Sequence, residues 1–166
     1  SLVSIGAVPV VKQEQHWVLD ESQSFYVELQ PQEGADEIPE ATAVHGLTTD
    51  YLFKNGTPPA EAMGAFAEYY ADLQSRYKSI KAAAWPVSFD APYIGWVARK
   101  YTGTNPLGHS AFDIPSFAVG LFGCTSRKQM YGRMKAAGYQ QPSNPNAHNA
   151  LADAIEQGQT LAWLLN

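Results

Sequence analysis

One cysteine in 166 residues, Cys124, leaves no internal disulfide to form and suits a reducing compartment such as the cytoplasm. No apolar run approaches the ~18 residues that cross a bilayer, and no segment reads as a secretory leader. Charge is scarce as well: 16% of residues are charged, and the balance is −5 at pH 7. That balance excludes broad, unspecific adhesion to nucleic acid. Local basic stretches remain at Arg99-Lys100 and at Arg127-Lys128, Arg133 and Lys135, each equally readable as solvated surface. There is no internal repeat, low-complexity tract or linker, so residues 1–166 are expected to form a single domain with its own core. The 45% hydrophobic content is that of a folded chain and not a disordered one.

The pattern of apolar residues predicts strands first, then strands and helices interleaved, an α/β or α+β arrangement. Ser1–Val11 is nearly continuous in apolar character and predicts a strand covered on both faces. Ser24–Gln30 alternates more clearly and predicts a second strand. The acidic stretch Glu33–Glu40 predicts a loop leading into Ala41–Thr48. Thr57 followed by Pro58 is a helix start signal, and Met63, Phe66, Tyr70, Leu73 and Tyr77 then mark one stripe of a long helix. Lys81–Phe89 predicts a third strand whose pairing Pro86 should end. A helix over Ala91–Tyr101 follows. Ala111–Phe122 is either a strand running into a helix or a helix alone, and Gln129–Ala137 is a helix that Gly138 ends. The last helix buries Leu151, Ile155, Gly158, Ala162 and Leu165.

Two acidic residues and one histidine carry the chemical interest. Asp90 follows an apolar strand where a helix is about to begin, a place where α/β sheets build sites; it equally suits a helix cap. Asp153 lies off the apolar stripe of the last helix. His148 stands five residues earlier, about 140° away at ~100° per residue, so it belongs in the loop or first turn and not on the same helix face. Carboxylates that can hold a divalent cation, with an imidazole able to take a proton from water, are the parts of a metal-dependent phosphodiester hydrolase. His45-Gly46-Leu47 reads as an ordinary turn or as a wall against a nucleotide. The four tryptophans and most tyrosines fall inside predicted elements, which assigns them to the core and not to base stacking.

Together these segments resemble the DnaQ-like (RNase T-like) 3′–5′ exonucleases of the DEDDh group, which have the ribonuclease H-like fold. Val3–Val8 looks like the second strand of that fold, and Ala41–Thr48 is similar to its histidine-glycine segment near the substrate's 3′ end. Ser88-Phe89-Asp90 matches the second acidic motif; His148 with Asp153 matches the third. The resemblance implies a mixed sheet flanked by helices and two ions, Mg²⁺ or Mn²⁺, held on four carboxylates. Asp153 and Asp90 would be metal ligands, His148 the base, and His45, Gly46 and Leu47 the pocket for the terminal nucleotide. The implied partner is a single-stranded 3′ end or a short oligonucleotide, DNA or RNA, with a homodimer as a further expectation.

The chain departs from that pattern in two places. Trp85-Pro86 stands where relatives often carry His-Asn, and no Asp-x-Glu, the first acidic motif, occurs anywhere. The first, central strand that bears this motif is therefore expected to lie upstream of Ser1. Without it the strands at Val3–Val8 and Ala82–Val87 lose their shared partner, at about 1–3 kcal/mol for each buried unpaired group. The alternatives are a degenerate module of the same fold that binds nucleic acid or protein, and a small-oligonucleotide phosphodiesterase.

Overall fold

A computed structural model describes all 166 residues. Its first quarter holds four short strands: β1 (Ser4–Ala7), β2 (Val10–Gln13), β3 (His16–Leu19) and β4 (Phe25–Glu28). The apolar run from Ser1 to Val11, expected as one strand, breaks at Pro9, which has no N–H with which to continue a ladder. The Pro9 carbonyl instead accepts from the Asp20 N–H at 2.9 Å. The chain then turns back as a hairpin that sets Val10 opposite Leu19 and Gln13 opposite His16. The turn is made by Glu14 at φ 54°, the left-handed geometry of tight hairpins. The sequence predicts no strand at His16–Leu19, because the hairpin tip is polar and hides the short apolar half.

Helices then dominate: α1 (Pro39–His45), α2 (Thr49–Asn55), α3 (Pro59–Arg76), α4 (Val87–Thr102), α5 (Ile114–Leu121), α6 (Arg127–Ala136) and α7 (Ala150–Leu165). Between them lie β5 (Ala82–Ala84) and β6 (Ala111–Asp113). The α3 stripe is as expected, with Met63, Phe66, Tyr70 and Leu73 buried. The third strand is much shorter than Lys81–Phe89: α4 starts at Val87, so Asp90 sits inside a first helical turn and not beyond a strand end. The Asp113 carboxylate explains the early start. It accepts from the Val87 N–H at 3.0 Å and from the Ser116 N–H at 3.0 Å, so one side chain serves the starts of both α4 and α5.

The molecule is mixed α/β, but its strands form three separate two-stranded ladders instead of one sheet. β1 pairs antiparallel with β4, Ser4 opposite Glu28, and β5 pairs parallel with β6, Ala82 opposite Ala111. β1 and β5 do not pair with each other. Each has one partnered edge and one free edge. The core is divided in the same way. Ile5, Leu29, Met63, Phe66 and Val97 form one cluster under β1, β4, α3 and α4; Ile114, Met130, Met134, Leu161 and Leu164 form the other under α5, α6 and α7. No helix is long and apolar enough to cross a membrane.

Burial works against the Asp113 carboxyl, but the hydrogen bonds from Ser116 and Val87 outweigh it and hold the group below the usual carboxylate value of 3.8. Its contribution is therefore complete above that value and lost as pH falls through the depressed one. Asp113→Ala should cost about 1 kcal/mol of stability at neutral pH. Denaturant midpoints measured from pH 7 down to pH 3 should show the gap between variant and wild type closing toward acid.

Candidate active site

Three attachments, two of them polar, bring the predicted residues together. The first is the cap of α7. Asn149 Oδ1 accepts from the Leu151 and Ala152 N–H groups at 3.1 Å, while its Nδ2 donates to the Tyr26 hydroxyl at 3.2 Å. Tyr26 in turn donates to Glu28 at 2.8 Å, which ties the helix start to β4. The second is close approach: a Cβ on Gly6 would lie 2.3 Å from the Ala150 backbone, so only glycine lets α7 begin directly on β1. The third is Gln157, whose Oε1 accepts from the Trp85 N–H at 2.8 Å and joins α7 to the tip of β5. α7 thus bridges the two halves of the molecule across the space between the free strand edges.

That space is a cavity of about 1830 Å³ lined by β1, by Ala82–Ala84 and by α7. It is well above the ~300–1,000 Å³ of an ordinary ligand pocket. Asp90, His148 and Asp153 all line it, as do His45 and Leu47. Gly46 does not: at φ 74° it ends α1, the plain turn role. Asp90 also does not cap α4, whose cap position is Pro86.

Asp153 Oδ1 accepts from Asn144 Nδ2 at 2.8 Å and from the His148 backbone N–H at 3.2 Å. The same Asn144 Nδ2 donates to Glu156 at 3.0 Å, so one amide spans two carboxylates a turn apart on α7. His148 lies outside the helix at φ 72°, and its imidazole is exposed. Burial pushes the Asp90 carboxyl above its ordinary value; its own backbone N–H opposes this, and the nearby Asp153 charge adds to the rise. Burial lowers the His45 imidazole, with Glu37 opposing. His45 Nδ1 accepts from the Leu47 N–H at 3.0 Å, leaving Nε2 as the nitrogen free to meet a ligand.

A half-buried carboxylate facing a second one is an oxygen pair that fits a hard divalent cation. No group of three or more His, Cys, Asp or Glu side chains gathers closely enough to hold a metal by itself. Asn149 carried a sequence signal as a cap residue directly before the apolar run of α7. Asn144, Gln157 and Tyr26 carried none, since their roles depend on partners far away in the chain.

No family model matches the chain. It is 29% identical over 159 residues to the 3′-5′ DNA exonuclease Cap18 of Escherichia coli, a match covering 96% of this chain and 79% of that protein. That relative's name gives the 3′–5′ exonuclease activity of the group that the acidic and histidine-glycine segments resemble.

Because the Asp90 carboxyl is raised in the folded protein, its ionisation opposes folding at neutral pH, and the opposition fades as pH falls through the raised value toward 3.8. In EDTA, Asp90→Asn should therefore melt above wild type at pH 7. Near pH 3.5 the two melting temperatures should converge, as differential scanning fluorimetry across that range will show.

Proposed function

We propose that this chain forms the body of a metal-dependent 3′–5′ exonuclease acting on DNA, of the DEDDh type and with a ribonuclease H-like fold. The observation that carries the proposal is the convergence of Asp90, His148 and Asp153 on one cavity, between two strand edges that lack a partner. A strand preceding β1 and bearing the first acidic pair fits that gap. It would satisfy both free edges and bring the remaining carboxylates to face Asp90 and Asp153. The name of the E. coli relative supports DNA as substrate.

Asp153 and Asp90 would hold the divalent ions, Mg²⁺ or Mn²⁺. Bound there, the cations would stabilise charge on the attacking and leaving oxygens of the scissile phosphate. The chain's own residues do the rest. Asn144 and the His148 N–H hold the Asp153 carboxylate in one orientation. The His148 imidazole, exposed on a loop beside it, accepts the proton of the nucleophilic water, the task histidine most often performs in such catalysis. His45 and Leu47 form the wall against the terminal nucleotide, with His45 presenting Nε2.

Single-stranded DNA labelled at its 5′ end should shorten stepwise from the 3′ end when the native polypeptide is given Mg²⁺ or Mn²⁺, and EDTA should stop it. His148→Ala should slow shortening by about 10²–10⁴-fold, and Asp153→Asn by at least as much, with both variants keeping the wild-type circular dichroism spectrum. Near-normal shortening by either variant would remove the role assigned to that residue. Cleavage inside a circular single strand would remove the exonuclease assignment.

A further inference from the structure

The segment from Gln140 to His148, which carries the proposed base, belongs to no helix or strand. Its one backbone–backbone hydrogen bond closes a turn, from the Asn149 N–H to the Asn146 carbonyl at 3.0 Å. Side chains hold it instead, turn by turn along α7. The Tyr139 hydroxyl bonds the Thr160 hydroxyl at 2.8 Å. Next, Gln141 Nε2 donates to Glu156 Oε1 and Asn144 Nδ2 to Glu156 Oε2, both at 3.0 Å. Last come the Asn144 and His148 N–H bonds to Asp153.

Glu156 is the middle one of these points, about 4.5 Å along the helix from Asp153 and on the same side. It is an acid beside a proposed metal ligand, yet it does not line the large cavity, whereas Asp153 does. It faces a separate hollow of about 240 Å³ shared with Trp85, Tyr131 and Tyr139, which Asp153 borders from the other side. Both its oxygens accept from the loop. The Asn144 amide shows the consequence. Its Oδ1 is buried without a partner, so only the two carboxylates decide which end of the amide meets α7. Turned over, it would set an oxygen against two anions. Without Glu156, Asp153 alone would oppose that rotation.

We infer that Glu156 is a positioning residue of the active site. Its carboxylate anchors the loop that carries His148 and holds the Asn144 amide donor-first against Asp153, and it takes no metal ion itself. A catalytic group displaced by about 1 Å can lose about 10²-fold in rate, so a side chain that meets no substrate still governs turnover. The inference rests on the exonuclease assignment for what the loop is positioned to do.

The test combines amide exchange of the ¹⁵N-labelled native polypeptide in EDTA, read by NMR, with 3′ shortening of single-stranded DNA in Mn²⁺. Glu156→Ala should speed exchange of the His148 N–H about tenfold, while the amides that pair β1 with β4 exchange as in wild type. It should lower kcat about tenfold and leave KM within about twofold, because Glu156 meets no substrate. Glu156→Gln keeps the volume and one oxygen; it should fall between, and it carries the test if the alanine variant does not fold. Adding Asn144→Ala to Glu156→Ala should slow turnover little further, since the two act through one contact. Wild-type exchange at His148 in both Glu156 variants would overturn the inference, as would faster exchange in an active enzyme whose kcat is unchanged. So would Mn²⁺ affinity, measured by calorimetry, that falls in Glu156→Ala while His148 exchange stays put, because Glu156 would then be a ligand. If wild type shortens no DNA but the His148 N–H loosens in Glu156→Ala, the exonuclease assignment fails and the loop anchor stands. If wild type shortens DNA and Glu156→Ala alters neither exchange nor kcat, the anchor fails and the assignment stands.

Discussion

Backbone hydrogen bonding at two strand edges governs this molecule. β1 is paired to β4 on one side and β5 to β6 on one side, and the other edge of each looks into the same large cavity. Buried N–H and C=O groups without partners cost about 1–3 kcal/mol each, a serious load for a domain whose total stability is about 5–15 kcal/mol. The division of the core into two clusters follows from the same gap, because nothing apolar crosses it at the level of the strands. What does cross it is α7, tied by Asn149 to β4 and by Gln157 to β5.

The bridging helix also places the chemistry. Gly6 allows α7 to begin on β1, and this fixes where Asp153 comes, one turn later. Asp113, by holding the first turn of α4, fixes Asp90 on the other side. Gly6 lines the cavity itself, whereas Asp113 acts from outside it. Between them they set two carboxylates against each other in a partly dry place, which costs folding free energy unless a cation offsets it. Stability given up at a site in this way is a common mark of function.

Much of the architecture could be read from periodicity. The α3 stripe, the helix-start signal at Thr57-Pro58 and the glycine end at Gly138 all rest on local rules, and local rules hold wherever the chain's own neighbours decide the conformation. The errors have different origins. The break at Pro9 is held by Asp20, 11 positions on, and the early start of α4 by Asp113, 26 positions on, while the hairpin at β3 is local but short and polar at its tip. Of the site, Asp90, His148, Asp153, His45 and Leu47 were nameable from motif order, and they do line one cavity. Asn144 was not nameable, because a loop asparagine acquires its role only when Asp153 and Glu156 are brought to it. Trp96, 60% exposed on α4, was assigned to the core because helical spacing does not say which of two apolar faces is turned inward.

The central claim, that a further strand belongs between β1 and β5, is tested most directly by hydrogen exchange on the native polypeptide. With a strand in place, the amides of both Ser4–Ala7 and Ala82–Ala84 should be protected on each edge, with rates approaching those of global unfolding. Fast, open-chain exchange confined to the edges that face the cavity would mean that the gap is empty in the native molecule, and the proposed metal centre would lack the residues it needs.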